Sequence, residues 1–81
     1  MPTVLRLKGY RFGFYASDAS EPPHEHVKKD GKHAKFWLRA AIELDFNERY
    51  RPHELNEIRK MIGENRSELL EAWRVFFGGR A

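Results

Sequence analysis

Cysteine is absent from the 81-residue chain. No disulfide can staple the fold, and no thiolate is available as a metal ligand or a nucleophile. A reducing, cytoplasmic setting is the expectation that follows. Long apolar runs are absent too. Nothing approaches the roughly 20 residues that a membrane-crossing helix needs, so no membrane partner is expected. The opening "MPTVLRLKGY" has no apolar stretch of signal-peptide length. There is no internal repeat and no low-complexity segment. At this length the expectation is a single domain over residues 1–81. So short a chain buries a modest share of its surface. Its core must come from a few large side chains, and aromatics make up 14% of the residues.

Charge is present but uneven. Residues 1–40 hold eight Lys/Arg against four Asp/Glu, a balance of +4, whereas residues 41–81 hold seven against eight. The N-terminal half is therefore the expected surface for an anionic partner such as RNA, DNA or an acidic protein.

The pattern changes near residue 50. "TVLRL", residues 3–7, reads as a short strand, and "KG" turns the chain into "YRFGFYA". There Tyr10, Phe12 and Phe14 share one face at period two, and Arg11, Gly13 and Tyr15 share the other. Gly13 inside a strand points to a bulge or a close backbone approach. "SDASEPP" reads as a loop, stiffened by Pro22 and Pro23.

Asp30-Gly31 between two alternating runs is a hairpin signal, because a type I′ turn needs positive φ at both central residues. A two-residue loop sets the register: Lys29 faces Lys32, Lys28 faces His33, Val27 faces Ala34, His26 faces Lys35, Glu25 faces Phe36 and His24 faces Trp37. One face then carries Val27, Ala34, Phe36 and Leu38, a core face. The other carries His24, His26, Lys28, His33, Lys35 and Trp37, which is basic and aromatic. In "AIELDFN", Ile42, Leu44 and Phe46 are expected inward, with Glu43 and Asp45 pointing to the basic side.

From Pro52 the spacing is helical. Leu55, Ile58 and Ile62 form one stripe, and Leu69, Trp73 and Phe76 form a second. Two helices over roughly 53–62 and 66–77 fit, with Gly63 as a C-terminal cap and Asn65/Glu68 as a capping pair; one long kinked helix also fits. "GGRA" reads as a frayed end. The expected fold class is α+β: a small antiparallel sheet of four or five short strands, with two C-terminal helices packed on one face and the other face partly open.

With "PTVLRL-GYRFGFY", "EPPHEHV", "AKFWL" and "ELNEIRKMI-----ELLEAW" in order, nearly the whole chain resembles a family of small bacterial proteins catalogued as a domain of unknown function, number 4160. Its most specific segment is Pro-His-x-His-Val at residues 23–27, followed by Lys35, Phe36 and Trp37. The resemblance implies a neighbour-encoded partner, a second small protein of unknown function (number 2442), and a toxin–antitoxin role with the present chain as the toxin.

The residues themselves admit three kinds of chemistry. A metal-independent ribonuclease needs a base, an acid and a cation for the phosphate. His24, His26 and Lys35 supply those types on one face. Trp37 could stack on a base, and Arg11, Tyr15, Lys28 and Arg39 could hold phosphate or a partner. Arg39 could equally pair with Glu43. Two histidines at i, i+2 can also bind an ion, but the spacing forces none of His33, His53 or Glu21 into reach, so no metal or cofactor is expected. The third reading is a binding module without chemistry, for an acidic protein, a nucleic acid or a second copy of the chain.

Overall fold

The structure, a computed structural model, describes residues 2–78. Five strands precede two helices: β1 (Thr3–Leu7), β2 (Tyr10–Gly13), β3 (His24–Lys29), β4 (Lys32–Leu38), β5 (Ile42–Glu48), α1 (Pro52–Glu64) and α2 (Arg66–Phe77). A 3-10 turn, Ala16–Ser20, lies between β2 and β3. The strands form one antiparallel sheet in chain order, β1 to β5. The fold is thus α+β with an N-terminal sheet and C-terminal helices.

Turn chemistry explains the sheet. Lys8-Gly9 and Asp30-Gly31 each place both central residues at positive φ (50° and 85°; 50° and 76°). Primed turns of this kind match the strand twist and leave no slack in register. The β3–β4 pairing runs from Lys29↔Lys32 to His24↔Trp37, residue for residue as the two-residue loop requires. The bulge signalled by Gly13 falls on the partner strand: Thr3 pairs with Gly13 and Leu5 with Phe12, leaving Val4 as the extra residue.

Phe12, Val27, Ala34, Phe36 and Leu38 form the covered face, and Ile58, Met61, Ile62 and Leu69 of the helices close over it. Each such large apolar side chain contributes about 1.5–3 kcal/mol on burial. Tyr50, just past β5, is drawn into this core, where its hydroxyl donates to the Val27 carbonyl at 3.0 Å.

Three expectations are corrected. Phe46 does not point inward. Lys35 pairs with Phe46 but Phe36 pairs with Leu44, so Asp45 is an extra residue and Phe46 is turned to the histidine face. There its ring lies 5.0 Å from that of His33. A bulge of this type resets the period-two alternation. Gly63 is not the cap of α1, which runs on to Glu64. Asn65 ends it: its backbone N–H donates to Met61 and Ile62 carbonyls, and its side-chain amide donates to the Met61 carbonyl at 2.9 Å. With Asn65 spent on that end, no side-chain cap bond forms at the start of α2. The helices are therefore two, separated at one residue. The frayed end expected over "GGRA" falls mostly on residues 79–81, outside the described residues.

No helix among the described residues is long and apolar enough to cross a membrane.

Candidate functional site

The alternation of β3 and β4 places His24 and His26 beside Trp37 and Lys35 on the face opposite the helical core. That face is not open at this end, contrary to the sequence expectation. His24 is fully buried, His26 is 7% exposed and Lys35 is 9% exposed. The chain between β2 and β3 folds back over the strands as the 3-10 turn. It brings Asp18 to 3.1 Å from His24 Nε2 and 3.4 Å from His26 Nε2. Tyr15 packs its ring edge-on to His26 at 4.8 Å. Trp73 of α2 reaches the same end, its ring 5.0 Å from both His24 and Phe14. Aromatic rings on three sides seal the cluster.

Each ionisable group is shifted for a local reason. Burial pushes the His26 imidazole down to about 4, the neighbouring charges being secondary, so it is neutral at pH 7. Lys35, its neighbour across the strands, is a minor cause. Burial also holds His33 below its usual value, with Lys28 adding to it. Burial raises the Asp18 carboxyl, but the Tyr15 N–H at 2.7 Å and the two imidazoles outweigh it and hold the group below its ordinary range. Burial works against the Lys35 ammonium, yet Glu21 at 2.7 Å and Asp45 at 3.4 Å reverse the sign and keep it charged. One group on the opposite face is more extreme. Burial pushes the Glu25 carboxyl up to about 8, and neither of its oxygens has a hydrogen-bond partner.

The other residues singled out from the sequence are distributed around this centre. Trp37 lies between two cations, Lys35 Nζ at 4.5 Å and the Arg39 guanidinium at 4.9 Å from the ring centre. Arg39 itself pairs with Glu43 at 2.7 Å. The Lys28 ammonium donates to the Tyr15 hydroxyl. Arg11 is exposed and opposite Lys28 in register, at the hairpin-turn end of the sheet rather than beside His24. His53 is exposed at the start of α1. Glu21, Glu43 and Asp45 offset the cations of the expected basic face, so its field is close to balanced.

The cluster can do less acid–base chemistry than its composition promises. A base must reach the proton it takes, and the Nε2 atoms of His24 and His26 are both shut away from solvent. The arrangement does offer ligands: Asp18, His24 and His26 each present one donor atom, all within 4.8 Å of one another. Asp18 and Glu25 escape sequence reading. Asp18 sits in a segment that reads as loop, and its only signal is a carboxylate six residues before His24. Glu25 is a charged residue in a strand that otherwise alternates correctly.

Residues 9–74 match the model of a family described as a domain of unknown function (DUF4160). The match contains the Pro-His-x-His-Val segment, the β3–β4 hairpin and most of both helices. No curated protein and no solved structure matches the chain.

Proposed function

The chain belongs to the DUF4160 family of domains of unknown function, and from that premise we propose that it is a protein-binding module, the toxin-like member of a two-protein bacterial pair, which takes a strand of its neighbour-encoded partner onto β5. The observation that carries this reading is the state of that edge. Among the described residues β5 pairs only with β4, and every residue from Glu43 to Glu48 is exposed. Because of the bulge, Leu44 and Phe46 lie on opposite sides of the strand, each 37% exposed. An edge with free N–H and C=O groups and apolar side chains on both sides suits strand addition, in which main-chain hydrogen bonds give affinity and side-chain pockets give specificity. The other edge strand, β1, is better protected, with Val4, Leu5 and Leu7 packed against the core.

Action on RNA through His24, His26 and Lys35 is a second reading. Its support is the Trp37 ring held between Lys35 and Arg39, a site where a base could stack if either cation were freed from its carboxylates.

The test is co-purification with the neighbouring gene product, with affinity measured by calorimetry. Phe46→Lys and Leu44→Lys are each expected to weaken the complex by about 30-fold, the scale of an interface hot spot. A complex indifferent to both substitutions removes β5 from the reading. Self-association of the chain that the same substitutions abolish assigns β5 to a second copy instead. Growth arrest with RNA loss on expression, relieved by His24→Ala with His26→Ala, moves the assignment to RNA.

A further inference from the structure

Three ligand atoms face one another at the centre of the sealed cluster, and the hydrogen bonds around the two rings allow a tautomer assignment that leaves no proton between them. The Nδ1 of His24 is 2.9 Å from the Pro22 carbonyl oxygen. A carbonyl only accepts, so Nδ1 carries the proton, and in the neutral ring Nε2 is a bare lone pair. A second chain of contacts bears on His26. The His33 Nδ1 lies 3.5 Å from the Glu48 carboxylate, which also only accepts. With the His33 proton on Nδ1, towards Glu48, His33 Nε2 is an acceptor and His26 Nδ1, at 2.9 Å, donates to it. The His26 Nε2 is left as a second lone pair. Both Nε2 atoms are buried with no hydrogen-bond partner, and both point at the Asp18 Oδ2, which already accepts the Tyr15 N–H. Unpartnered polar atoms at this depth destabilise the fold. In that assignment the three crowded acceptors repel one another as well, a repulsion that a bound cation or a proton would relieve.

We propose that Asp18, His24 and His26 form a binding site for a divalent transition-metal ion of the zinc class. Two of the three spacings fit. With metal–ligand bonds of about 2.0–2.1 Å, tetrahedral geometry puts neighbouring ligand atoms about 3.3 Å apart; the two nitrogen–oxygen separations are 3.1 and 3.4 Å, and the two nitrogens, within 4.8 Å of each other, would be drawn to that spacing by the ion. The ligand types fit: imidazole with carboxylate suits zinc, cobalt or nickel rather than calcium or magnesium. The surroundings fit too. A ligating histidine usually donates its other N–H to a backbone carbonyl, a carboxylate or a similar acceptor, which fixes the tautomer. His24 does so to Pro22, and His26 does so to His33, itself held by Glu48. Three protein ligands leave a fourth position for water or a partner's side chain. The ion would tie the 3-10 turn to β3, joining the loop ahead of the Pro-His-x-His-Val segment to the strand that carries it.

The test uses the untagged full chain, stripped with a chelator and titrated with Zn²⁺ by calorimetry and with Co²⁺ by visible absorption. One ion per chain is expected, with cobalt bands of tetrahedral intensity and a melting temperature that rises with zinc concentration. Asp18→Asn keeps the shape of the turn and is expected to weaken zinc by more than about 100-fold. That exceeds the 10–100-fold that a supporting residue commands, which is the effect expected of His33→Gln. His26→Gln should abolish the cobalt spectrum, and His53→Ala should change nothing. Absence of binding at millimolar zinc overturns the proposal. So does binding that survives both Asp18→Asn and His26→Gln, or that follows His53.

Discussion

The two faces of the sheet each hide ionisable groups, and they treat them in opposite ways. Under the helices a single carboxyl, Glu25, is fully buried on the Phe36 side with no partner for either oxygen. On the other face Asp18, His24, His26 and Lys35 are nearly as deep, yet they converge on one another and on defined donors and acceptors. Adjacent residues of one strand therefore meet two environments. The helical face keeps its ionisable group by neutralising it, and stability suffers. The histidine face keeps its groups by orienting them, which is how sites are built. Burial of a polar group is thus no evidence of a site by itself; convergence is.

Several substitutions break or sharpen this contrast. The largest effect is expected from Phe36→Ala, which opens a cavity beneath the helices and should cost about 3–5 kcal/mol in denaturant unfolding, enough to unfold so small a domain. Next is Glu25→Leu, which should stabilise. The folded carboxyl titrates near 8, while the unfolded one titrates near its ordinary value of 4.5. Stability is thus unpenalised below 4.5 and is lost as pH rises toward 8, by on the order of 3 kcal/mol at pH 7. In chelator, urea midpoints of the wild type should fall between about pH 6.5 and 8, above the range in which His26 acts, and those of Glu25→Leu should not. A wild type that is flat from about 6.5 to 8 would mean that Glu25 finds a partner.

The histidine face should give the opposite limb. His26 titrates near 4 when folded, below the usual imidazole value. The unfolded chain therefore binds the proton first, and stability falls as pH drops from about 6.5 toward 4. His26→Gln should flatten this acid limb and leave the alkaline one, again measured in chelator. The two slopes oppose each other between about pH 4.5 and 6.5, so together they predict a broad stability plateau there. Smaller still is Gly31→Ala, which strains the turn at φ 76° and should cost about 1 kcal/mol. Phe46→Ala should cost less than about 1 kcal/mol by the same unfolding assay, because its ring is more than a third exposed. That small loss, set beside Phe36→Ala, measures how differently the two faces are loaded.

The hairpin was legible to the residue because Asp30-Gly31 admits one loop length, and period two then fixes every pair from Lys29 to His24. The same rule failed at Phe46, because Asp45 is an extra residue and a bulge leaves no mark in hydropathy. Helix content followed from apolar spacing. The break did not, because Asn65 could cap either helix, and its side chain bonds back to the Met61 carbonyl of α1 rather than forward to α2. For the site, His24, His26 and Lys35 could be placed on one face, since alternation is local. Asp18 could not, because it arrives through a loop. The open face expected over the histidines was closed by that same loop and by Trp73, whose helical spacing marks it as apolar without saying how far it reaches.

The sheet is laid down in the order in which the chain is made, with no strand waiting for a later one. A nascent chain could thus pair β1 through β5 one hairpin at a time, each on a microsecond scale, before any helical residue has left the ribosome. At roughly 5–20 residues per second, the last 30 or so residues take a few seconds to follow. For that interval the Phe12, Val27 and Phe36 surface has no roof. In the cell, the apolar side of the sheet is most vulnerable to aggregation during synthesis, and a chaperone or an early-binding partner would have its opportunity then.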